Sequence, residues 1–296
     1  GIVAAAAGKN IVPVLVEGLK KLEYRGYDSA GLAVIAGNGI ERVRSVGRVA
    51  ELEAASADTQ SITGIAHTRW ATHGVPCERN AHPHVSGSIA VVHNGIIENY
   101  ETLRTELTAL GYVFTSDTDT ESIAHLIEAT LRTEPDLFKA VQLACQRLVG
   151  AYAIAVIDHT QPGKVIVARE GSPLLLGVSD TGNYAASDAS ALLQVTRNMV
   201  YLENGDIAEL TAAKLRITRL DGTPVERPVH VSQLSAAAVE LGNYQHYMQK
   251  EIFEQPEALA NTLEIVGGSK SIQPGIFGAE AGNLLAIDDK RNGRKT

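Results

Sequence analysis

The chain has 296 residues, of which 45% are hydrophobic and 20% charged, a composition typical of a globular protein with one large core or two smaller ones. Its net charge of −8 argues against nucleic acid and against an anionic membrane surface as the main partner, because both select clustered lysine and arginine. The two cysteines argue against a disulfide framework and favour a reducing cytoplasm, and no window approaches the roughly 18 apolar residues of a membrane span.

The first half of the chain predicts strands followed by a block of helices. A buried strand over residues 2–7 precedes a helix whose apolar residues recur at helical spacing from Val12 to Leu22. Further strand-like stretches fall at 31–36, 62–67 and 89–93. Residues 98–148 then predict three consecutive amphipathic helices, because their apolar side chains recur every three or four positions.

From residue 151 onward the pattern returns to short β-rich runs. These runs fall at 151–157, 165–168, 174–178, 200–202, 207–210 and 215–220. Turn-forming pairs stand between them, at Pro162-Gly163, Asn204-Gly205 and Asp221-Gly222. Such turns favour hairpins and hence antiparallel pairing. Because strands are grouped with strands and helices with helices, we expect an α+β layered fold.

The character of the sequence changes towards its C-terminal end. A helix is predicted over 244–260, a linker rich in small residues over 267–275, and a charged tail without an apolar face over 288–296. We therefore divide the chain into a domain over 1–240 and a linker with a charged tail over 241–296.

Five of the nine histidines fall in one short stretch that also contains the only tryptophan. They are His67, His73, His82, His84 and His93. A metal site would explain the clustering, since imidazole is a common ligand, but the stretch lacks an HExxH helix, a CxxC pair and an acidic residue at ligand spacing. The alternative is a loop between strands that binds a small anion, and we expect neither a metal nor a cofactor.

Three short motifs in this region carry polar groups suited to an amino-acid ligand. Arg69 can clamp a carboxylate with two parallel hydrogen bonds while Trp70 closes over it, although a surface charge beside a core anchor is the alternative. Asn94 and Gly95 end an apolar strand, and without a second strand to complete a hairpin their N–H groups can stabilise an oxyanion. Asp119 precedes a helix, where it can be an N-cap or first-turn acid and also bind an ammonium group.

Six motifs, in order along the chain, resemble those of class II glutamine amidotransferase domains. They are residues 1–3 (GIV), 22–31 (LEYRGYDSAG), 67–74 (HTRWATHG), 80–84 (NAHPH), 93–99 (HNGIIEN) and 118–121 (TDTE). The resemblance covers about residues 1–265 and implies an N-terminal-nucleophile hydrolase fold, a four-layer αββα sandwich with two antiparallel sheets. Residues 24–31 and 247–256 resemble the branch of this family that passes ammonia to fructose 6-phosphate and forms glucosamine 6-phosphate.

The resemblance implies glutamine binding and hydrolysis by four residues of these motifs. The side chain of Asn94 and the N–H of Gly95 would form the oxyanion hole. Arg69 would bind the α-carboxylate of L-glutamine, and Asp119 would bind its α-ammonium group.

Further residues are implied at the edges of the same pocket. Thr72 and His73 would shape it, Arg25 would lie near the nucleophile, and Trp70 resembles the family's gate between the glutamine site and an ammonia channel. L-glutamine and the sugar-phosphate isomerase domains of a full-length enzyme are the implied partners, together with a second copy of the chain in a homodimer.

The family's nucleophile is an N-terminal cysteine whose own α-amino group acts as the base, since an amine with a pKa near 8 suits neutral pH. We expect this cysteine one position before Gly1. Cys77 and Cys145 are poor substitutes, because one lies in a polar loop and the other in a helix. Three hypotheses follow: a glutaminase that releases glutamate and ammonia, an inactive glutamine-binding module that lacks the cysteine, and, as a weaker alternative, a histidine-metal hydrolase. Under the first, residues 1–240 are the glutaminase domain and 241–296 lead towards sugar-phosphate isomerase domains.

Overall fold

A computed structural model provides the structure of the protein and describes most of the chain. The described residues are 1–37, 39–70, 74–233, 244 and 248–256, without the Arg25 side chain. The chain divides into two compact units, Gly1–Val239 and Glu240–Thr296. In the second unit, residues 248–256 form a helix, which agrees with the centre of the helix predicted over 244–260. The predicted linker over 267–275 and the charged tail lie outside the described residues.

The described part of the first unit contains fourteen strands and five α-helices. The strands are β1 (Ile2–Ala7), β2 (Ser29–Ala36), β3 (Gly39–Val46), β4 (Thr63–Arg69), β5 (His84–Ser86), β6 (Ile89–Ile97), β7 (Gly150–Asp158), β8 (Val165–Glu170), β9 (Leu175–Ser179), β10 (Gly182–Ala186), β11 (Asn198–Tyr201), β12 (Asp206–Leu210), β13 (Leu215–Arg219) and β14 (Val229–Val231). The helices are α1 (Val12–Leu22), α2 (Val49–Ala55), α3 (Tyr100–Ala109), α4 (Thr120–Leu131) and α5 (Leu137–Cys145). The three helices predicted between residues 98 and 148 are therefore confirmed.

The strands form two antiparallel sheets. The first has eight strands in the order β14-β11-β9-β10-β1-β4-β2-β3, and the second has six in the order β13-β12-β8-β7-β6-β5. Every registered pair is antiparallel. In the first sheet β1 lies between β10 and β4, with Ile2 opposite His67.

Successive side chains of a strand point to opposite faces of its sheet, and this alternation divides the core into three apolar layers. On β1, Ile2, Ala4 and Ala6 belong to the cluster between the two sheets, which also contains Ala90 and Val92 of β6. The intervening residues of β1 pack with α1 and α2, and those of β6 pack with α3, α4 and α5. Because strand side chains alternate between faces, each sheet buries both of its faces. The expected α+β, four-layer αββα sandwich is confirmed.

The strand that was predicted to end at His93 continues to Ile97. Asn94 and Gly95 pair with β7 inside this strand, with Gly95 opposite Tyr152. Gly95 has a φ of 133°, and a Cβ there would lie 1.9 Å from the carbonyl oxygen of Ala151. The predicted strand end was therefore wrong: the glycine is needed for a close backbone approach within the strand and makes no turn.

The turn pairs have different roles in the structure. Pro162-Gly163 joins β7 to β8, which are antiparallel neighbours as predicted. Asn204-Gly205, however, connects β11 in the first sheet to β12 in the second, so the prediction of a hairpin there was wrong. A turn pair predicts that the chain changes direction, but it does not predict whether the next strand joins the same sheet. After Asn204-Gly205 the chain passes from the first sheet to the second.

Candidate active site

Five of the predicted site residues lie together around one cavity. The cavity has a volume of about 210 Å³ and is lined by Arg69, Trp70, Asn94, Gly95 and Asp119, together with Gly1 at the start of β1. These residues come from β1, β4, β6 and the N-terminus of α4, which are far apart in the sequence. Of the other predicted site residues, Thr72, His73 and the side chain of Arg25 lie outside the described residues.

Arg69, the last residue of β4, is a buried cation held in a fixed orientation. Its side chain is only 4% exposed, and its Nη1 lies 3.2 Å from Oδ1 of Asp28. Nη2 donates to the carbonyl oxygen of Gly74 at 2.9 Å, and the Ser29 hydroxyl donates to the same Asp28 oxygen at 2.7 Å. The alternative interpretation of Arg69 as a surface charge was wrong. A guanidinium held on one side by a carboxylate is suited to bind a second carboxylate on the other.

Trp70 is 68% exposed, so the alternative of a core anchor was wrong. Its ring lies against Gly26, where a Cβ would approach Cζ3 of Trp70 to 1.8 Å, so that only glycine allows this contact. The side chain lines the cavity just described and also a neighbouring one with Tyr27, Asp28 and Pro76. An exposed indole between two cavities is placed to separate them.

Asn94 projects from β6 and is held by a buried histidine. His67 Nε2 lies 2.9 Å from Asn94 Oδ1. The contact joins the two sheets at the cavity, because His67 lies on β4. Since the oxygen of the amide faces the histidine, its nitrogen is the end left to donate towards the cavity. Together with the adjacent backbone of Gly95, this nitrogen has the chemistry of an oxyanion hole.

Asp119 occupies the N-cap position of α4 but its side chain makes no capping hydrogen bond. Instead, its Oδ2 accepts a hydrogen bond of 2.9 Å from the backbone N–H of Ile97. The predicted N-cap position of Asp119 is confirmed, although its side chain does not make a capping hydrogen bond. The carboxylate is 3% exposed and lines the cavity, where it can accept hydrogen bonds from a cationic group.

Four of the clustered histidines are buried next to one another. The rings of His67 and His82 stack with centroids 4.2 Å apart, and His82 contacts His84 edge to face at 5.0 Å. His84 and His93 form hydrogen bonds of 3.0 Å with the hydroxyl groups of Thr118 and Thr120, respectively. Within the described residues, no group of three or more histidine, cysteine or acidic side chains is arranged to hold a metal ion.

Burial keeps the imidazoles of His67, His82 and His84 neutral. It lowers the pKa of His84 to about 3, although the carboxylate of Glu121 acts in the opposite direction. Burial likewise lowers the pKa of His67 and of His82 well below the usual value. A neutral imidazole can hold a hydrogen-bond partner in one orientation without adding a charge to the cavity.

Two loops at the rim of the cavity are fastened to each other. Asn80 is fully buried; its side chain donates to Val75 O at 3.0 Å and to Asp117 Oδ2 at 3.1 Å, and it accepts from Asp117 N at 2.9 Å. Next to this contact, the Glu121 carboxylate accepts hydrogen bonds from Thr115 and Ser116. Burial alone would raise the pKa of Glu121, but these hydrogen bonds outweigh it and lower the pKa. The loop before α4 is thereby fixed, and with it Asp119.

The two cysteines of the chain do not line the cavity. Cys145, the last residue of α5, is 2% exposed and belongs to the core. Burial raises the pKa of its thiol to about 12. It is therefore a protonated thiol at neutral pH and a poor nucleophile. In the part of the chain that the structure describes, every helix is too short or too polar to cross a membrane.

Other residues in or beside the cavity were not assigned a role from the sequence. Thr68, Thr118 and Thr120 line it, and Asp28 orients Arg69. Asp28 lies within the motif over 22–31, and this motif was the only sequence signal that pointed to Asp28. The contact between Asp28 and Arg69 cannot be predicted from a local pattern, because the two residues are 41 positions apart.

Comparison with known proteins identifies the family. Residues 67–194 match the family described as a glutamine amidotransferase domain. The chain is 59% identical over 268 residues to the glutamine–fructose-6-phosphate aminotransferase (isomerizing) of Acidithiobacillus ferridurans, covering 89% of this chain and 44% of that protein. It is 52% identical over 288 residues to the protein of the same name from Xylella fastidiosa strain Temecula1, covering 96% and 47%. The chain thus spans about half the length of these curated relatives.

A solved structure supports the fold independently. Glutamine phosphoribosylpyrophosphate amidotransferase from B. subtilis, in complex with ADP and GMP, matches with a TM-score of 0.65 and 23% identity, over 74% of this chain and 49% of that chain. This structural match agrees with the two antiparallel sheets between helical layers. The chain belongs to the glutamine amidotransferase family and has the N-terminal-nucleophile hydrolase fold.

Proposed function

We propose that the cavity binds L-glutamine and that the protein hydrolyses its side-chain amide to glutamate and ammonia. The observation that carries this proposal is the arrangement of charge around one small cavity, with the Arg69 cation, the Asp119 carboxylate and the Asn94 amide in its walls. Glutamine has a carboxylate, an ammonium group and a carboxamide, so each of its polar groups meets a complementary side chain.

In this arrangement the reaction takes place beside Gly1, where β1 enters the cavity. The Gly1 nitrogen donates a hydrogen bond of 2.6 Å to the carbonyl oxygen of Thr68, which fixes the start of β1 against β4. The nucleophile is a cysteine that precedes Gly1 in the intact protein, a role that comes from the resemblance to the family. Its α-amino group accepts the thiol proton, and the thiolate attacks the amide carbon of glutamine.

The remaining steps use groups that line the cavity. The carbonyl oxygen of the substrate becomes an oxyanion, to which Asn94 Nδ2 and the Gly95 N–H donate hydrogen bonds. The α-ammonium group of the cysteine returns its proton to the leaving nitrogen, and ammonia departs. Water then hydrolyses the thioester that remains, which releases glutamate and regenerates the thiol. The resemblance to the family implies that Thr72 and His73 would complete the pocket and that Arg25 would lie near the nucleophile.

An assay of the intact protein with glutamine tests the proposal. Mass spectrometry first establishes the residue that precedes Gly1, and equal amounts of glutamate and ammonia are then expected. Alkylation of thiols should abolish the release of ammonia. The Cys77→Ser variant should keep both the activity and its loss on alkylation, because Cys77 lies outside the cavity. Glutamine binding without ammonia would favour the inactive binding module, and absence of binding would contradict the site itself.

The wider context is proposed on the basis of the relatives. In a full-length protein, residues 1–240 would be the glutaminase domain and residues 241–296 would lead to sugar-phosphate isomerase domains. Trp70 would be the gate through which ammonia passes to fructose 6-phosphate, giving glucosamine 6-phosphate. Support comes from the name of the relatives and from the place of Trp70 between two cavities. A cytoplasmic homodimer completes this proposal, and the size of the full-length protein in solution would test its assembly.

A further inference from the structure

The contact between His67 and Asn94 determines which end of the Asn94 amide serves the cavity. The two groups meet at 2.9 Å through His67 Nε2 and Asn94 Oδ1. Because an amide oxygen only accepts hydrogen bonds, the imidazole must be the donor, with its proton on Nε2. The amide nitrogen is then left on the other branch of the planar group, and Asn94 lines the cavity.

The surroundings of His67 favour this tautomer. The residue is 3% exposed, and its Nδ1 has no hydrogen-bond partner among the described residues. Burial, together with the positive charge of Arg69, lowers the pKa of the ring and keeps it neutral. A neutral ring carries a single N–H group. On Nε2 this group is satisfied by Asn94, whereas on Nδ1 it would be a buried donor without an acceptor.

The ring of His67 is also held in its plane by a neighbour. It stacks on His82 at 4.2 Å between centroids, with 26° between the planes. His82 is itself fixed, since its Nδ1 accepts a hydrogen bond of 3.4 Å from the backbone N–H of His93. The stacking restricts rotation of His67, so its Nε2–H group keeps its direction towards Asn94.

We propose that His67 is a positioning residue that orients the Asn94 amide so that its nitrogen, and not its oxygen, faces the reacting carbonyl. This inference rests on the proposed glutaminase function. In the reversed amide, a carbonyl oxygen would meet the developing oxyanion and oppose it. His67 also lines the cavity, but in this proposal it acts on the reaction through Asn94 and exchanges no proton with the substrate.

Two variants of the intact protein distinguish the effect of the His67 N–H group from the effect of the volume of its side chain. His67→Met fills a similar volume without an N–H group, and we expect kcat to fall about 10- to 100-fold, less than the loss of a whole oxyanion donor. KM for glutamine should stay within about twofold, because the oxyanion forms only in the transition state. His67→Gln keeps a donor near the Nε2 position and should recover kcat to within about fivefold of the wild type.

Combining His67→Met with Asn94→Ala tests whether the two residues act as one unit. If His67 acts through Asn94, the double variant is no slower than Asn94→Ala alone, to within about threefold. Multiplicative losses, or equal losses in His67→Met and His67→Gln, would overturn the inference. The pH profile of kcat should keep its shape in His67→Gln, and loss of one limb would instead make His67 an acid or base in the reaction.

A measurement that does not depend on turnover distinguishes this inference from the proposed function. In histidine-labelled protein, ¹⁵N shifts assigned with His67→Gln should show the Nε2–H tautomer of His67 and no protonation between pH 8 and 5. An Nδ1–H tautomer or a charged ring would overturn the positioning role even in an active enzyme. Inactive wild-type protein with intact cysteine would overturn the proposed function, and the positioning role with it.

Discussion

Asn94 can be tested at the scale of one residue because its proposed action is confined to the transition state. Asn94→Ala should lower kcat for glutamine hydrolysis by about 10²–10³-fold, the usual effect of removing one oxyanion donor. KM should change little, since the substrate amide carries no full negative charge before attack. Steady-state kinetics and a glutamine titration check both quantities. A large loss of glutamine binding with unchanged turnover would mean that Asn94 acts on the bound substrate and not on the transition state.

Arg69 makes the opposite prediction, because a carboxylate clamp acts on bound substrate and transition state alike. Arg69→Ala should raise KM for glutamine about 10- to 100-fold, equivalent to one or two charge-assisted hydrogen bonds, with a small change in kcat. The matched ligand is 4-aminobutanamide, which is glutamine without its α-carboxylate. Its inhibition constant should be the same in wild type and Arg69→Ala. A parallel loss for both ligands would indicate general damage to the site, for example through the unpaired Asp28.

The sequence motifs point to residues that carry a recognisable chemical group, and the structure brings three of these residues to one cavity. Arg69, Asn94 and Asp119 were selected for their charge or amide, and all three line one cavity. The role proposed for His67 has no signal in the sequence, because it depends on the 2.9 Å contact with Asn94 across two sheets. Pairings of this kind are set by the register of distant strands and leave no local pattern in the sequence.

At the scale of the element, β6 combines a regular strand with a backbone distortion at Gly95. Gly95→Ala would place a Cβ 1.9 Å from the carbonyl oxygen of Ala151 in β7, in addition to the cost of a φ of 133°. Gly163 is a matched control, since its φ is also positive, at 81°, but a Cβ there meets nothing within 4 Å. We expect Gly163→Ala to lower the free energy of unfolding by about 1–2 kcal/mol. Gly95→Ala should cost about 1–3 kcal/mol more, from overpacking.

Denaturant unfolding of both variants checks this prediction, and the activity of Gly95→Ala gives a second measurement. Turnover should fall in Gly95→Ala and stay unchanged in Gly163→Ala, because only Gly95 lies at the cavity. Equal stability of the two variants would show that β7 moves to accept the methyl group, and that the close approach is not required.

Elements with strong periodicity could be predicted from the sequence, and elements stabilised by their surroundings could not. The strand Ile2–Ala7 and the helix Val12–Leu22 agree with the predicted bounds. The sequence pattern does not predict β3, whose residues are mostly exposed or half-buried, or β10, where small residues carry little strand propensity. Hydrogen bonding to β2 and β9 holds these strands in the first sheet. Such pairing depends on strands that lie elsewhere in the fold, so the local sequence pattern does not reveal it.

At the scale of the whole molecule, the buried histidines connect the two sheets and their protonation is linked to folding. His67 belongs to β4 in the first sheet, whereas His84 and His93 belong to β5 and β6 in the second. Burial keeps the pKa of His84 at about 3 in the folded state, against about 6.5 in an unfolded chain. Below pH 6.5 the unfolded chain therefore binds a proton that the folded protein does not, and stability falls with falling pH.

The pH dependence of stability follows from this difference. His84 lowers the free energy of unfolding by up to about 1.4 kcal/mol per pH unit as the pH falls from 6.5, and the loss ends near its folded pKa of about 3. In His84→Gln, which keeps a group able to bond to Thr118, the loss between pH 7 and 5 should be smaller than in wild type by about 2 kcal/mol. Denaturant unfolding at pH 7, 6 and 5 measures this loss, with the exposed His230→Gln as the control that keeps the wild-type slope. An unchanged slope in His84→Gln would show that His84 is protonated in the folded protein, and that the cluster between the sheets accepts a charge.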